Sequence, residues 1–169
     1  MLIVKDSMIL IHLAVGGVLK ETCIMFGQVI IPNAVHKEVV EIGKKAGHAD
    51  AFLVEKLEYE RYIQVVAVHE TKLMNELEKY GLHGGELEVV TLYIQEKADL
   101  IASNDDKVRR LRLILNLDLV SSPEIVFMLV KNGAISKSKA VECLFEFKKI
   151  GWFSNHVIDS IIAEVNRFG

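Results

Sequence analysis

The strongest constraint on this chain is a series of short apolar runs separated by segments of helical period. Leu2-Ile3-Val4 and Val29-Ile30-Ile31 carry no polar alternation. Strands of that kind are buried on both faces, as in a parallel sheet covered by helices. Further strands are expected at residues 62–68, where β-branched residues cluster, at 99–102 and at 117–120. Helices are expected between them, at residues 7–19, from Pro32 to about 42, and at 49–60, 70–79, 83–97 and 106–115. Pro32 suits a first helical turn because its φ is already helical. Residues 43–48 read as a loop. The alternation implies an α/β fold with three α/β/α layers and a mostly parallel central sheet. After Ser121-Ser122-Pro123 the pattern becomes wholly helical, at about 123–131, 137–149 and 155–168. The expected division is a core over residues 1–121 and a C-terminal helical appendage over 122–169, packed on that core.

Composition sets the outer limits. With 169 residues, half of them apolar and a quarter charged, the chain can bury a core as one domain. No apolar run approaches the length of a membrane span. The start Met1-Leu2-Ile3-Val4-Lys5-Asp6 lacks the basic segment and cleavage site of a secretion signal. Cys23 and Cys143 lie in apolar surroundings and read as buried reduced thiols, so the expectation is a cytoplasmic protein. A net charge of −3 neither advertises nucleic-acid binding nor excludes it, since a local basic patch or bound metal can supply the attraction.

Against this background the acids stand out. Asp6 closes the first strand. Glu38 fills a slot in the helical stripe Val35, Val39, Ile42. Glu86 falls in the first turn of a helix, on the face opposite Glu88, Thr91 and Gln95, which read as the solvent face. Gly84-Gly85 before it permits close backbone approach. Asp105 and Asp106 follow the strand at 99–102. Ligands of open parallel sheets bind beyond the carboxyl ends of the strands. Taken singly, each acid has an ordinary account: Asp6 and Asp105 as helix caps, Glu86 as a helix-dipole partner, Glu38 at the edge of its stripe. Taken together, and with no obvious cationic partner, five acids in one small domain point to a site for a hard divalent cation. Of the adjacent pair, Asp105 is the first choice.

Other constellations carry less. The histidines lack metal-ligand spacing, no phosphate-loop or serine-hydrolase motif is present, and Tyr62, Trp152 and the phenylalanines are too scattered for a stacking platform. Lys107, Arg109, Arg110 and Arg112 follow the acid pair directly. They form either a solvated helix face or the cations that a phosphate backbone would meet beside a metal.

The elements Asp6-Ser7, Ile31-Pro32-x-x-Val35-x-x-Glu38-Val39, Gly85-Glu86-Leu87-Glu88 and Ser103-Asn104-Asp105-Asp106 occur in the order and spacing of the PIN-domain ribonucleases. The chain resembles that family, which includes the VapC-like toxins of toxin–antitoxin pairs, over residues 1–120. The late Asp-Asp followed by arginine looks most like an archaeal and bacterial subgroup. The resemblance implies catalytic roles for Asp6, Glu38, Glu86 and Asp105. It implies Mg²⁺ or Mn²⁺ held by Asp6, Asp105 and Asp106, and support from Ser7 and Ser103. It also implies an RNA substrate, a cognate antitoxin and a homodimer. Glu86 departs from the aspartate common at its position. The expected activity is metal-dependent hydrolysis of RNA phosphodiester bonds. The rivals are a PIN-like binding module without nuclease activity and a phosphohydrolase acting on small esters, the latter weakened by the lack of an Asp-x-Asp motif.

Overall fold

The computed structural model describes residues 1–169. Five strands, β1 (Leu2–Lys5), β2 (Gln28–Pro32), β3 (Ile63–Val66), β4 (Leu100–Ala102) and β5 (Leu119–Val120), form one sheet in the order β3-β2-β1-β4-β5. Every pair is parallel. Helices cover both sides, giving the three-layer α/β/α arrangement. β1 lies at the centre, with Ile3 level with Val29 on one side and Leu100 on the other. The chain builds outward from β1 through β2 to β3, then returns to place β4 on the opposite flank. The strand order therefore reverses at β1, and such a switch point leaves a crevice at the carboxyl edge of the sheet.

The central strand is fully buried from Ile3 to Lys5. The Lys5 Nζ donates to Thr22 Oγ1 at 2.6 Å and lies 5.7 Å from the centre of the Phe26 ring. Burial lowers its pKa to about 8. Thr22 and Phe26 belong to α2 (Leu19–Phe26), a helix not expected from the residue pattern. The single helix expected over 7–19 ends as α1 (Ser7–Val15). Gly17, at φ 67°, turns the chain before α2 begins. Leu19, Thr22, Cys23 and Phe26 then supply a buried stripe at helical spacing.

A second departure comes after β2. The helix α3 (Asn33–His36) runs into a π-helical segment, Lys37–Ile42, and continues as α4 (Gly43–Lys45), where a loop was expected. A π turn inserts an extra residue and rotates the residues beyond it about the helix axis. Val39 and Val40 are consequently both buried, while Ile42, expected in the stripe, is 54% exposed.

The remaining helices are α5 (Ala49–Tyr59), α6 (Thr71–Glu78), α7 (Gly84–Gln95), α8 (Asp106–Leu111), α9 (Ser122–Lys131), α10 (Lys137–Ile150) and α11 (Asn155–Arg167). α8 is shorter than expected, and Asn116 at φ 51° redirects the chain toward β5. The C-terminal helices start on local chemistry. Glu124 Oε2 accepts from both the N–H and the hydroxyl of Ser121 at 2.7 Å, and Ser136 caps α10. The hydrophobic core runs unbroken from the sheet through Ile125, Leu129, Leu144, Phe147 and Ile158. No single helix is long and apolar enough to cross a membrane.

α10 closes tightly on the end of α1. A methyl group on Gly16 would run into Cys143 Sγ and press on Phe147 at 3.2 Å. Gly16→Ala is therefore expected to lose about 1–3 kcal/mol through overpacking, despite the gain in helix propensity. Chemical denaturation of the two proteins measures this directly.

Candidate active site

A cavity of about 160 Å³ opens beyond the carboxyl ends of β1 and β4. Its walls include Asp6, Ser7, Glu38, Glu86, Asp105 and Trp152. Four acids from four separate segments thus share one small space. Asp106, the first residue of α8, instead borders a neighbouring depression beside Arg109 and Arg110.

Each acid also serves local structure. Asp6 Oδ1 caps α1 by accepting from the Ile9 N–H at 2.8 Å, and Oδ2 accepts from the Asn104 N–H at 3.3 Å. Asp105 Oδ1 caps α8, accepting from the N–H groups of Lys107 and Val108 at 2.7 and 3.2 Å. Ser103 Oγ accepts from the Asp105 N–H at 3.1 Å. Glu38 is exposed rather than buried in its stripe, and its Oε2 accepts from Ser7 Oγ at 2.6 Å. Glu86 Oε1 accepts from the His83 N–H at 3.3 Å and from Lys107 Nζ at 3.1 Å. Capping and site geometry coexist because a carboxylate has about four lone-pair positions, and a cap uses only one or two.

Three expectations need correction. The acids do have a cationic partner, Lys107, so Lys107 is engaged with Glu86 rather than free. Glu88, Thr91 and Gln95 do not form a solvent face. Thr91 is fully buried and donates to the Leu87 carbonyl. Glu88 Oε2 accepts from the Ala34 N–H at 3.0 Å, at the start of α3, and Gln95 ties down the chain at Ala67 and His69. α7 is partly covered on that side too, and its polar stripe is a bonded, half-buried seam. Nor does Gly85 serve close backbone approach, since a methyl there would sit 3.8 Å from Glu38 Oε2, an ordinary contact. Gly84 is the constrained position, at φ 54°.

The electrostatics separate the acids. Asp6 is pushed up to about 6, chiefly by burial; hydrogen bonds from Ser103, Ile9 and Asn104 oppose this, and the Asp105 charge adds slightly. Burial, not mutual repulsion, dominates there. Glu86 moves the other way: burial raises it, but hydrogen bonds from its own backbone, Lys107 and His83 outweigh that and lower it. The Lys107–Glu86 pair is half open to solvent, so Lys107→Ala should cost under about 1 kcal/mol of stability in the metal-free protein, measured by thermal melting.

The donor set is all oxygen, the kind that hard cations such as Mg²⁺ and Mn²⁺ prefer, and Asp6, Glu38, Glu86 and Asp105 are the residues that would hold one. In this geometry no three acids, histidines or cysteines stand close enough to hold a metal ion. The fit is therefore one of chemistry, with Glu38 and Glu86 the flexible members.

A family model described as a PIN domain matches residues 2–167. The chain belongs to the PIN-domain family. PIN domains are commonly nucleases, so the fold is of nuclease type. No match was found among curated proteins or among solved structures. The matched span takes in α9, α10 and α11, beyond the 1–120 stretch that carries the sequence resemblance.

Two parts of this PIN domain's site carry no signal in the sequence. Trp152, from the turn between α10 and α11, forms one wall of the acid cavity. Asn104, present in the sequence only as the second residue of the Ser103-Asn104-Asp105-Asp106 element, is a buried node. Its Nδ2 lies 2.9 Å from His12 Nδ1 and donates to Ser122 Oγ at 2.7 Å, while its Oδ1 accepts from the Ser122 N–H at 3.0 Å. His12, one of the histidines without metal-ligand spacing, is fully buried with Nε2 unpartnered, and burial lowers it to about 4. Neither residue announces itself by local spacing, because the partners lie 92 and 18 positions away.

Proposed function

We propose that this PIN domain is a metal-dependent endoribonuclease. The observation that carries the reading is the convergence of Asp6, Glu38, Glu86 and Asp105 on one cavity at the reversal point of a parallel sheet. A divalent cation bound there supplies a more acidic water for attack at phosphorus and positive charge for the phosphate oxygens. Asp6 and Asp105 are fixed by their caps, so their outward lone pairs hold position without reorganisation. Ser7 steadies Glu38. Asp6 is ionised above about pH 6, which makes it competent as a ligand or proton acceptor near neutrality. Lys107, in the neighbouring depression, is held by Glu86, and an approaching phosphate would compete with that carboxylate for it. By family resemblance the reading extends to the toxin of a toxin–antitoxin pair, with a partner protein blocking the cavity.

The experiment offers Mn²⁺-loaded protein two substrates, a single-stranded RNA and a small phosphate monoester. Internal cleavage of the RNA with an intact monoester is expected; the reverse would make the protein a phosphohydrolase of small esters. One observation favours a second reading, a PIN module that binds RNA without cutting it: the acids do not close into a metal site in this conformation. Unchanged RNA binding by Asp105→Asn, with no cleavage by either protein, would support that reading.

A further inference from the structure

The C-terminal helices α10 and α11 are joined by a turn whose position the acid site does not by itself explain. Gly151, left-handed at φ 76°, stops α10, and Ser154 caps α11 through the Val157 N–H. Trp152 sits between these two fixed points. It remains 51% exposed, although its ring centre lies 5.9 Å from that of buried His12. A large aromatic braced on one side and open on the other has the form that a base-stacking platform needs.

Trp152 borders two depressions, the acid cavity and a second one shared with Lys107, Arg109 and Arg110. Arg109 in turn borders a third, which it shares with Arg112 and His156. The three lie in sequence along the seam between α8 and the α10–α11 turn. Arg109, Arg110 and Arg112 are in no ion pair, although the chain is net acidic. Arg110 Nε donates to the Asp106 carbonyl at 3.2 Å, but none of the three has a carboxylate partner, and guanidinium groups of that kind beside an exposed aromatic are the complement of a single nucleic-acid strand. The cations track phosphates, and the ring takes an unstacked base.

We infer that this seam is the path of single-stranded RNA, with Trp152 stacking on a base next to the phosphate in the acid cavity and Arg109, Arg110 and Arg112 holding the flanking backbone. The inference rests on the nuclease reading for its substrate, but its test does not. Trp152 selects for unpaired RNA, because a base within a duplex cannot reach the ring. The C-terminal helices thereby form one wall of the substrate groove.

Trp152 is the only tryptophan, so the emission of the whole chain reports on it alone. The experiment titrates the full-length protein, in EDTA, with a single-stranded RNA of about ten nucleotides, a length within the range of single-strand sites. Saturable quenching is expected with this RNA, and none with duplex RNA or inorganic phosphate. By fluorescence anisotropy of labelled RNA, Trp152→Ala should bind roughly tenfold more weakly and Trp152→Phe should recover most of the loss. Arg109→Ala should reduce the salt slope of binding by about one. RNA binding with unchanged tryptophan emission, equal affinity in Trp152→Ala, or no binding at all would overturn the inference. Quenching without cleavage in Mn²⁺ would sustain it and remove the nuclease reading. Cleavage without quenching would do the opposite.

Discussion

Asp6→Asn is expected to abolish RNA cleavage, by on the order of a hundredfold or more, while leaving the metal-free protein at least as stable as wild type near pH 8. The two halves of that result have separate causes. The carboxylate is a ligand or proton acceptor that an amide cannot replace. Structurally, asparagine caps a helix about as well as aspartate, so the bond from Ile9 survives. The contact from the Asn104 N–H is lost, at about 1 kcal/mol. Against this stands the burial that raises Asp6 to about 6. A carboxyl whose folded pKa is raised favours the fold while protonated, below its unfolded value near 3.8, and that stability is lost as pH rises through about 6. At pH 8 the charge is a burden of about 2 kcal/mol after discount for partial exposure, which the amide removes.

His12 has the opposite sign. Its pKa is lowered by burial from 6.5 to about 4, so it favours the fold while neutral. That stability is present above pH 6.5 and is lost as pH falls toward 4, at about 3 kcal/mol in full. In wild type the two groups oppose each other between pH 4 and 6 and flatten the profile. In Asp6→Asn only His12 remains, so stability should climb with pH across 4–6.5. Denaturation midpoints at several pH values read this out. Parallel profiles for the two proteins would mean that Asp6 is not a strained buried acid.

Asn104→Ala is the second large effect, an expected loss of about 3–5 kcal/mol and, for a chain of this size, a fall in Tm of roughly 10 °C. The substitution strands the buried Ser122 N–H and leaves the Ser122 hydroxyl and His12 Nδ1 only each other, 3.4 Å apart. These groups join β1–α1, the β4 end and the start of α9, so the damage spreads to the site. Alanine keeps the backbone N–H that orients Asp6 but loses the side-chain bonds that hold that N–H in place. Refolded Asn104→Ala should therefore cleave RNA less well even below its melting range. Differential scanning calorimetry with activity at low temperature separates the two. A loss below about 1 kcal/mol would show that water or rotation satisfies the stranded groups.

Much of the sheet is legible in the sequence because burial on both faces leaves an unmistakable signature in Leu2–Val4 and Val29–Ile31. Asp6 and Asp105 are legible as strand-end acids because a parallel sheet fixes where its carboxyl edge lies. The illegible parts share a cause: their determinants are distant or irregular. Lys20-Glu21 hides the stripe Leu19, Thr22, Cys23, Phe26 that makes α2 a helix. The π segment moves Val40 in and Ile42 out, and no α-periodic reading anticipates an inserted residue. Glu88, Thr91 and Gln95 look solvated because their polarity is visible and their distant partners are not. Trp152 lies far along the chain from Asp106, in a stretch with no motif of its own, and only the packing of α10 on α1 brings it to the acids.

The most direct test of the account is a labelled single-stranded RNA incubated with wild type and with Asp6→Asn, each in Mn²⁺, in Mg²⁺ and in EDTA. The account predicts internal cleavage by wild type with either metal, none in EDTA and none by the mutant. Cleavage that persists in EDTA, or in Asp6→Asn at the wild-type rate, would contradict it.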